Sequence, residues 1–210
     1  MSEEHSVVGR RVPRWEAAEK ATGGAKFLAD IRLPGMLAGK ILFSPHAHAK
    51  ILDIDTSKAQ RVPGVEAVLT DKVRFVGDRV AAVAAVDVAT AQQALELIKV
   101  KYEVLPPVFD AMEAMKPGAP KIHDYAEKNV SVHFGFPVAW GDVEKGFGDA
   151  VAVVEKTFRT AGNHICQMEP CTCIASFGAG GRLTIWSPSQ HAFLHRRKVA
   201  EIFSPAPVVP

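Results

Sequence analysis

The sequence has few of the features that mark secreted, membrane-bound or disulfide-linked proteins. Its three cysteines cannot all pair with one another, and free thiols are typical of a reducing compartment, so we do not expect a disulfide scaffold. No run of about 18 apolar residues occurs. The first residues, MSEEHSVVGRR, lack the apolar core of a signal peptide. These absences predict a cytoplasmic protein without a membrane span.

An excess of charge of either sign is also missing, since 25 lysines and arginines stand against 23 aspartates and glutamates. This balance gives no electrostatic reason to expect nucleic acid or an acidic membrane as a partner. Several catalytic signatures are absent as well: the G-x-S-x-G elbow, the G-x-G-x-x-G turn, the P-loop and H-E-x-x-H. What remains is a 210-residue chain of 48% hydrophobic composition, long enough for one or two globular domains.

The first half has the alternating hydrophobicity of short strands after an irregular lead-in. Strands are predicted in MLAGKILFSP, in AKILDIDT, after the Pro63-Gly64 turn up to Leu69, on both sides of a turn at Gly77-Asp78, and in VKYEVL. One helix is predicted from Thr90, with Ala91, Ala94, Leu95 and Ile98 on its apolar stripe and a Thr90–Gln93 capping box. An α+β unit should therefore end near Asp110.

The second half follows a long connection over 111–136. It should contain a helical turn capped by Asp142, a valine-rich strand, and a hairpin formed by CTCIASF and RLTIWSP. A last helix is predicted over 191–203, ahead of the proline-rich end. Arg196 falls within its apolar stripe and should either extend past its methylene groups to solvent or meet a carboxylate or another anion.

The stretch HICQMEPCTCIASF contains all three cysteines. Cys166, Cys171 and Cys173 lack the C-x-x-C spacing of zinc knuckles, so buried or nearly buried free thiols are favoured over a thiolate-metal site. Within the same stretch Glu169 must find a partner or stay near water, and a backbone amide or an arginine such as Arg159 would serve.

Three stretches together resemble the molybdenum-cofactor subunit of the xanthine dehydrogenase, aldehyde oxidase, carbon monoxide dehydrogenase and hydroxybenzoyl-CoA reductase family. The stretches ATGGAKFLADIRLPGMLAGKILFSPHAHAKILDIDTSKAQRVPGVEAVLT and KVRFVGDRVAAVAAVDVATAQQALELIKVKYEVLPPVFD are similar to the two halves of its α/β-hammerhead domain. GDVEKGFGDAVAVVEKTFRTAGNHICQMEPCTCIASFGAGGRLTIWSPSQHAFLHRRKVAEIF resembles the beginning of its molybdopterin-binding domain.

The resemblance implies an α+β fold in four parts: a lead-in over 1–34, a hammerhead domain over 35–110, a linker over 111–136 and the truncated start of a molybdopterin-binding domain over 137–210. It implies cofactor-binding positions at Asn163, where several members have glutamine, and at Glu169 of the MEP signature. Ser189 and Gln190 of WSPSQ complete the set, with serine in place of the usual threonine.

The sequence also departs from the family. The loop between Thr70 and Asp71 is shortened, and the family's catalytic glutamate and later pterin-binding motifs would lie beyond Phe203. No catalytic residue and no metal ligand are therefore expected in this chain. The resemblance implies the amino-terminal part of a molybdopterin-dependent oxidoreductase acting on aldehydes, purines or aryl-CoA substrates, with no cofactor bound to this chain by itself.

In the assembled enzyme the expected partners are the rest of the molybdopterin domain or subunit, a [2Fe-2S] subunit and an FAD subunit. The sequence leaves open whether the protein forms a homo-oligomer. The alternative is a non-catalytic interaction module that keeps the hammerhead fold, and a metal-thiolate module ranks third.

Overall fold

The computed structural model describes residues 8–63, 66–69 (backbone only), 72–130 and 140–203. In chain order its helices and strands are α1 (Ala17–Thr22), β1 (Ala38–Phe43), β2 (Ala49–Asp55), β3 (Glu66–Leu69), β4 (Lys72–Val73), β5 (Arg79–Ala85), α2 (Val88–Leu97), β6 (Lys99–Val104), α3 (Ala111–Ala114), α4 (Val143–Gly148), β7 (Ile174–Phe177), β8 (Leu183–Trp186) and α5 (Ala192–Phe203). In this part of the chain no helix has the length and apolar character needed to cross a membrane.

The chain divides into two compact units. Pro34–Thr157 forms the first, here called the inner unit, and Met1–Leu33 with Phe158–Pro210 forms the second, the terminal unit. The inner unit contains two three-stranded antiparallel sheets, ordered β1-β5-β3 and β4-β2-β6. The mixture of helices with antiparallel sheets confirms the predicted α+β class.

Strand β5 lies at the centre of the first sheet. Val83 pairs with Lys40 of β1 on one side and with Ala67 of β3 on the other. Its side chain is 1% exposed, and Val80 is fully buried. A central strand is screened from water on both edges, which explains why RVAAVAA is apolar almost without interruption.

Helix α2 packs on this sheet through the residues that the helical pattern predicts. Ala91, Ala94 and Leu95 are buried in one cluster with Val83. The predicted capping box at Thr90 is wrong, however. The helix begins at Val88, and the carboxylate of Asp87 accepts the N–H of Thr90 at 2.7 Å, so the cap lies earlier in the chain.

The second sheet has β2 at its centre. Strand β4 pairs with β2, whereas β5 belongs to the other sheet, so the two predicted strands around Gly77 do not form a hairpin with each other. Gly77 has φ of 90°, a conformation that side chains with a Cβ rarely adopt, and the chain turns there from one sheet to the other. The turn was predicted correctly; the pairing could not be read from alternation alone.

The connection after β6 is organised by one asparagine. The Asn129 Oδ1 accepts the N–H of Ile122 at 2.9 Å, and its Nδ2 donates to the carbonyl oxygens of Ala114 at 2.9 Å and Pro120 at 3.0 Å. Backbone groups outside regular structure need such partners. The predicted long connection therefore contains helix α3 and an ordered turn; its last part, 131–139, lies outside the described residues.

The lead-in, the valine-rich stretch after α4 and the cap at Asp142 lie outside the two sheets of the inner unit. The lead-in is not wholly irregular, because it contains helix α1, which ends at Thr22 and is followed by Gly23 as its C-cap. The valine-rich stretch after α4 is not a strand, and Val151, Val153 and Val154 are exposed, since no described strand pairs with them. The Asp142 cap is confirmed, because its carboxylate accepts the N–H of Lys145 at 3.0 Å.

In the terminal unit the predicted hairpin and final helix are confirmed. Strands β7 and β8 pair antiparallel from Ile174 opposite Trp186 to Phe177 opposite Leu183. The hairpin is shorter than predicted, because Cys171 and Cys173 precede the first strand. Helix α5 begins at Ala192 and its described part ends at Phe203; the proline-rich residues 204–210 lie outside the described residues.

Candidate cofactor-binding site

The four residues predicted to bind a cofactor lie in two loops of the terminal unit. Asn163 and Glu169 belong to the stretch from Phe158 to Cys173, which has neither helix nor strand. Ser189 and Gln190 lie in the turn between β8 and α5. All four side chains are exposed, and within the described part of the chain no hydrogen bond joins any of them to another. The structure thus places them on accessible loops and does not assemble them into one pocket.

The turn before α5 is held by short-range hydrogen bonds. The Ser189 Oγ accepts the N–H of His191 at 3.2 Å, and the His195 N–H donates to the His191 carbonyl oxygen at 2.9 Å. A serine oxygen that binds a backbone amide just ahead of a helix is typical of helix starts. The Ser189 hydroxyl hydrogen stays available to a ligand, and the adjacent Gln190 offers a carboxamide donor and acceptor.

The stretch around Asn163 and Glu169 is exposed along its whole length. Phe158, Ile165 and Met168 are 84%, 89% and 100% exposed, which is unusual for large apolar side chains. Glu169 does not need the charged or amide partner expected for a carboxylate in an apolar run, because its carboxylate faces solvent.

The prediction of buried thiols is wrong. Cys166, Cys171 and Cys173 are all free and all exposed, because the stretch that contains them, from Phe158 to Cys173, is not part of a packed sheet. Among the described residues no group of three or more histidines, cysteines and carboxylates could hold a metal ion. The cysteines instead take part in local contacts: the Gln167 Nε2 lies 3.0 Å from the Cys171 Sγ.

His164 has a local structural role that the sequence does not predict. Its Nδ1 accepts the backbone N–H of Cys166 at 3.0 Å and lies 3.1 Å from the Cys166 Sγ. Cys166 has φ of 51°, in the left-handed region, and the imidazole contact closes this tight turn. A histidine two positions before a cysteine is a weak sequence signal, and the turn could not have been predicted from it.

A groove runs between β8 and α5. Its volume is about 370 Å³, and its lining residues are Leu183, Ile185, Ser187, Ser189, Ala192, His195, Arg196, Val199, Ala200 and Phe203. At one end the rings of Phe177 and Phe203 meet edge to face at 6.4 Å and hold the helix on the hairpin. Ser189 is the one predicted site residue that lines this groove.

Arg196 lines the groove and is exposed, which fits the expectation that it extends to solvent, and within the described residues it has no carboxylate partner. Its guanidinium carbon is 5.9 Å from the centre of the Phe193 ring, a cation–π contact. The neighbouring cations are paired, since Arg197 lies 3.7 Å and Lys198 2.9 Å from the carboxylate of Glu201. The hydrogen bond from Lys198 holds the pKa of Glu201 below its ordinary value. Arg196 is therefore the cation of this trio whose charge the described carboxylates leave unneutralised.

A second polar cluster lies in the inner unit. The His46 and Tyr102 rings meet edge to face at 4.8 Å, and the His48 Nδ1 donates to the Pro106 carbonyl oxygen at 2.9 Å. Desolvation raises the pKa of the Tyr102 phenol, and a hydrogen bond with Ser44 opposes this in part. These residues could not be predicted from the sequence, because two histidines between strands match no catalytic or metal-binding pattern.

Two family models match the chain. Residues 22–72 and 67–106 match the aldehyde oxidase and xanthine dehydrogenase a/b hammerhead domain, and residues 122–207 match a molybdopterin cofactor-binding domain. The hammerhead match comes in two pieces that meet at 67–72, where the sequence indicates a shortened loop. The order of the two domains is the order predicted.

Curated relatives cover most of this chain but are much longer. A probable xanthine dehydrogenase subunit of Bacillus subtilis is 34% identical over 88% of this chain and 27% of the relative. The nicotinate dehydrogenase large molybdopterin subunit of Eubacterium barkeri is 31% identical over 95% of this chain and 51% of the relative. The chain thus spans about a quarter to a half of the length of these relatives.

Solved structures share the fold. The reconstituted CO dehydrogenase from Oligotropha carboxidovorans superposes with a TM-score of 0.77 at 32% sequence identity, covering 92% of this chain and 29% of that one. At this identity and coverage the described elements correspond over nearly the whole chain.

Proposed function

Because the chain belongs to the xanthine dehydrogenase and aldehyde oxidase family of molybdopterin-dependent oxidoreductases, we propose that it supplies the hammerhead domain and the first part of the molybdopterin-binding domain of such an enzyme. The observation that carries this proposal is the match of both domain models, in family order, along one chain. We propose domain limits of 35–110 for the hammerhead and 137–210 for the molybdopterin-binding part, with a lead-in before and a linker between them.

The donor groups of the two loops suit a pterin. Asn163 and Gln190 each carry a carboxamide that can donate to ring nitrogens and oxygens and accept from ring N–H groups, and Ser189 adds a hydroxyl. The carboxylate of Glu169 can accept hydrogen bonds from the N–H groups along an edge of the pterin. It would repel a phosphate, since both groups are negatively charged. All four are exposed, so these residues fit the chemistry of the cofactor but do not enclose it.

When bound, the molybdenum centre supplies two-electron oxidation or reduction at a substrate carbon. The role we propose for this chain is to bind and orient. Asn163 would donate its N–H to an oxygen at the cofactor, and Ser189 and Gln190 would fix one edge of the pterin through hydrogen bonds. Glu169 would orient the MEP segment. No proton transfer is assigned to any residue here.

We propose aldehydes, purines and aryl-CoA thioesters as the candidate substrates, and [2Fe-2S] and FAD subunits as electron-transfer partners. Related chains support the existence of partner subunits, because the B. subtilis and E. barkeri relatives are both named as subunits of larger enzymes. We expect the complete enzyme to act in the cytoplasm.

Reconstitution tests the proposal. The chain is co-expressed with the remaining part of the B. subtilis relative, meaning the part that lies outside the matched region, in a host that makes molybdopterin. Molybdenum is then measured by mass spectrometry. We expect near-stoichiometric molybdenum and dye-linked oxidation of an aldehyde or a purine only in the co-expressed sample. Stoichiometric molybdenum and turnover in the isolated chain would contradict the proposal that it supplies only the first part of the molybdopterin-binding domain. Their absence from both samples would contradict the proposal that the chain is part of a molybdopterin-dependent oxidoreductase.

One observation favours the alternative, a non-catalytic interaction module. The inner unit has two buried apolar clusters, whereas in the described part of the terminal unit Ile174 is the one buried apolar residue. A hammerhead fold could therefore persist as a docking unit. A stable monomer that binds no molybdopterin subunit, in an assay where the B. subtilis segment is offered, would favour this alternative.

A further inference from the structure

Strand β1 is an open edge of the inner unit. Among the described residues it pairs with β5 alone, so the N–H and C=O groups on its other side have no strand partner. Two of its side chains that face away from α2, Ile41 and Phe43, are 39% and 52% exposed. Both matched pieces of the hammerhead domain lie within this chain, so the edge belongs to a domain that the sequence covers. Such an edge is a template for a further strand.

A groove lies between this edge and helix α2. Its volume is about 500 Å³, and it is lined by residues 39–43 of β1 and by three residues of α2, among them Leu95 and Glu96. Lys40 and Leu42 share the strand face towards α2, because alternate residues of a strand lie on one face and Leu42 packs on the cluster that contains Leu95. Within the described residues neither Lys40 nor Glu96 has an ion-pair partner, although Glu96 accepts a 3.4 Å hydrogen bond from Gln92.

A lysine that faces inward on an edge strand hinders pairing, because a second strand would cover its charge. This protection excludes strands that bring no anion and admits one that does. The same groove contains such an anion in Glu96, so a second copy of the chain carries both halves of an ion pair. Charge complementarity therefore makes β1 of a second copy the strand that fits this edge.

The side chains also select the register of such a pairing. Directly opposite residues of an antiparallel pair share a face, so a two-fold axis between two copies of β1 must pass through a residue. An axis at Lys40 sets two lysines opposite each other, which is destabilising. An axis at Ile41 sets Lys40 of each copy opposite Leu42 of the other. The second register avoids the contact between like charges.

Helix α2 places Glu96 where this register needs it. The helix begins at Val88, just after β5, whose last residue pairs with Ala38 at the start of β1. It then runs in the direction of β1, and the helix from 88 to 96 rises about 12 Å while the strand from 38 to 42 rises about 13 Å. Glu96 therefore lies at the level of Leu42, and the residue opposite Leu42 is Lys40 of the second copy.

We propose that two copies of the chain associate through β1 about a two-fold axis at Ile41, with Lys40 of each copy paired with Glu96 of the other. The association joins two β1-β5-β3 sheets into one continuous sheet and brings the exposed side chains of Ile41 from both copies together. The interface contains none of the residues predicted to bind the cofactor. It therefore goes beyond the proposed function and does not depend on it.

Charge variants of the full chain test this pairing, with the mass measured by size-exclusion chromatography and light scattering. The wild-type chain should shift from monomer to dimer as its concentration rises, and hydrogen exchange of the 38–43 amides should slow. Lys40→Glu and Glu96→Lys should each weaken the dimer at least about tenfold, because two ion pairs become contacts between like charges. Gln93→Lys is the matched control, since Gln93 is exposed on α2 and does not line the groove; it should change dimerisation less than about twofold.

Mixing the variants separates contacts between copies from contacts within one copy. An equimolar mixture of Lys40→Glu and Glu96→Lys chains can form both ion pairs in a mixed dimer, whereas each variant by itself cannot. The mixture should therefore dimerise about as well as the wild-type chain, and so should the double variant. Recovery on mixing would also show that both variants are folded.

A wild-type chain that stays monomeric at every concentration would overturn the proposal. So would a dimer that both charge variants leave unchanged, a dimer whose slowed exchange lies outside 38–43, or variants that stay monomeric when mixed. Protection of 38–43 that appears only when the remaining part of the B. subtilis relative is added would assign the edge to that polypeptide and likewise overturn it. None of these measurements needs molybdenum, so failure of this inference is distinguishable from failure of the proposed function.

Discussion

The Nδ1 of His48 lies 2.9 Å from the carbonyl oxygen of Pro106, 58 residues further along the chain. The Leu105 N–H donates to the His48 carbonyl oxygen at 2.9 Å, so backbone and side chain join the same two segments. His48 is 3% exposed, and its Nε2 is buried without a partner in the described structure. The histidine thus fastens the start of β2 to the two prolines after β6.

Replacing His48 by alanine should destabilise the chain by about 2 kcal/mol, because the Pro106 carbonyl oxygen loses a buried donor. Chemical denaturation checks this value. His48→Asn is the matched variant: its carboxamide can place an N–H near the position of Nδ1, so it should recover part of the loss. If His48→Ala and the wild-type chain unfold at the same denaturant concentration, the fastening role is wrong.

Tyr102 should make the inner unit sensitive to alkali. Desolvation raises the phenol's pKa above its ordinary value of 10.0, so the folded chain holds this proton more tightly than the unfolded chain does. Stability should therefore fall as pH rises past that ordinary value, and Tyr102→Phe should flatten the fall. Thermal unfolding between about pH 9 and 11 measures the slope. Tyr125→Phe, at the other of the two tyrosines and exposed, is the control.

Asp87 should stabilise helix α2 through its ionised carboxylate. The hydrogen bonds from Thr90 hold the pKa of Asp87 below 3.8. Its contribution is therefore present above that pH and is lost as pH falls through the lowered value. Asp87→Ala should lower the melting temperature at neutral pH by about 5 °C. Asp87→Asn, which keeps the oxygen acceptor, should lose less and show a flatter response to acid; equal losses would argue against the cap.

Val83 should be costly to truncate. It is 1% exposed, at the centre of the first sheet and against α2, so Val83→Ala removes packed methyl groups and leaves a cavity. We expect a loss of about 2 kcal/mol. Val88→Ala, at a 59% exposed position of the neighbouring helix, serves as control and should change the unfolding free energy by less than about 0.5 kcal/mol.

The three cysteines should react quickly with a thiol reagent in the folded chain. All are exposed and free, so an absorbance assay should detect three equivalents without denaturant. A single slow phase that needs denaturant would show the thiols to be covered, as a packed strand would require. Cys171→Ser should remove one equivalent and leave the circular dichroism spectrum unchanged.

Prediction from the sequence succeeded where the residues of one strand, or of one face of a helix, are buried together. Four of the seven residues of the run RVAAVAA, together with Ala91, Ala94 and Leu95, are buried as predicted, since burial itself selects these residue types. The pairing of β4 with β2 could not be predicted, because alternation gives a strand its faces but not its neighbours.

The site was harder to predict for a related reason. The valine-rich stretch and the cysteines have the composition of buried segments, yet they are exposed. Within the described residues no other segment packs over them. Ser189 was located correctly at a helix start, where local hydrogen bonding limits the choice of residue. Whether Asn163, Glu169, Ser189 and Gln190 hold a cofactor stays a prediction.

The interleaved strand order of the inner unit also governs the order in which it can fold. Strand β5 must enter between β1 and β3, and β2 acquires its second neighbour only with β6. During synthesis the first sheet cannot close before residue 85 has left the ribosome, nor the second before residue 104. Until then β1 lacks its partner β5, and β2 has only the two-residue strand β4 beside it, so the nascent chain depends on late, long-range pairing rather than on successive hairpins.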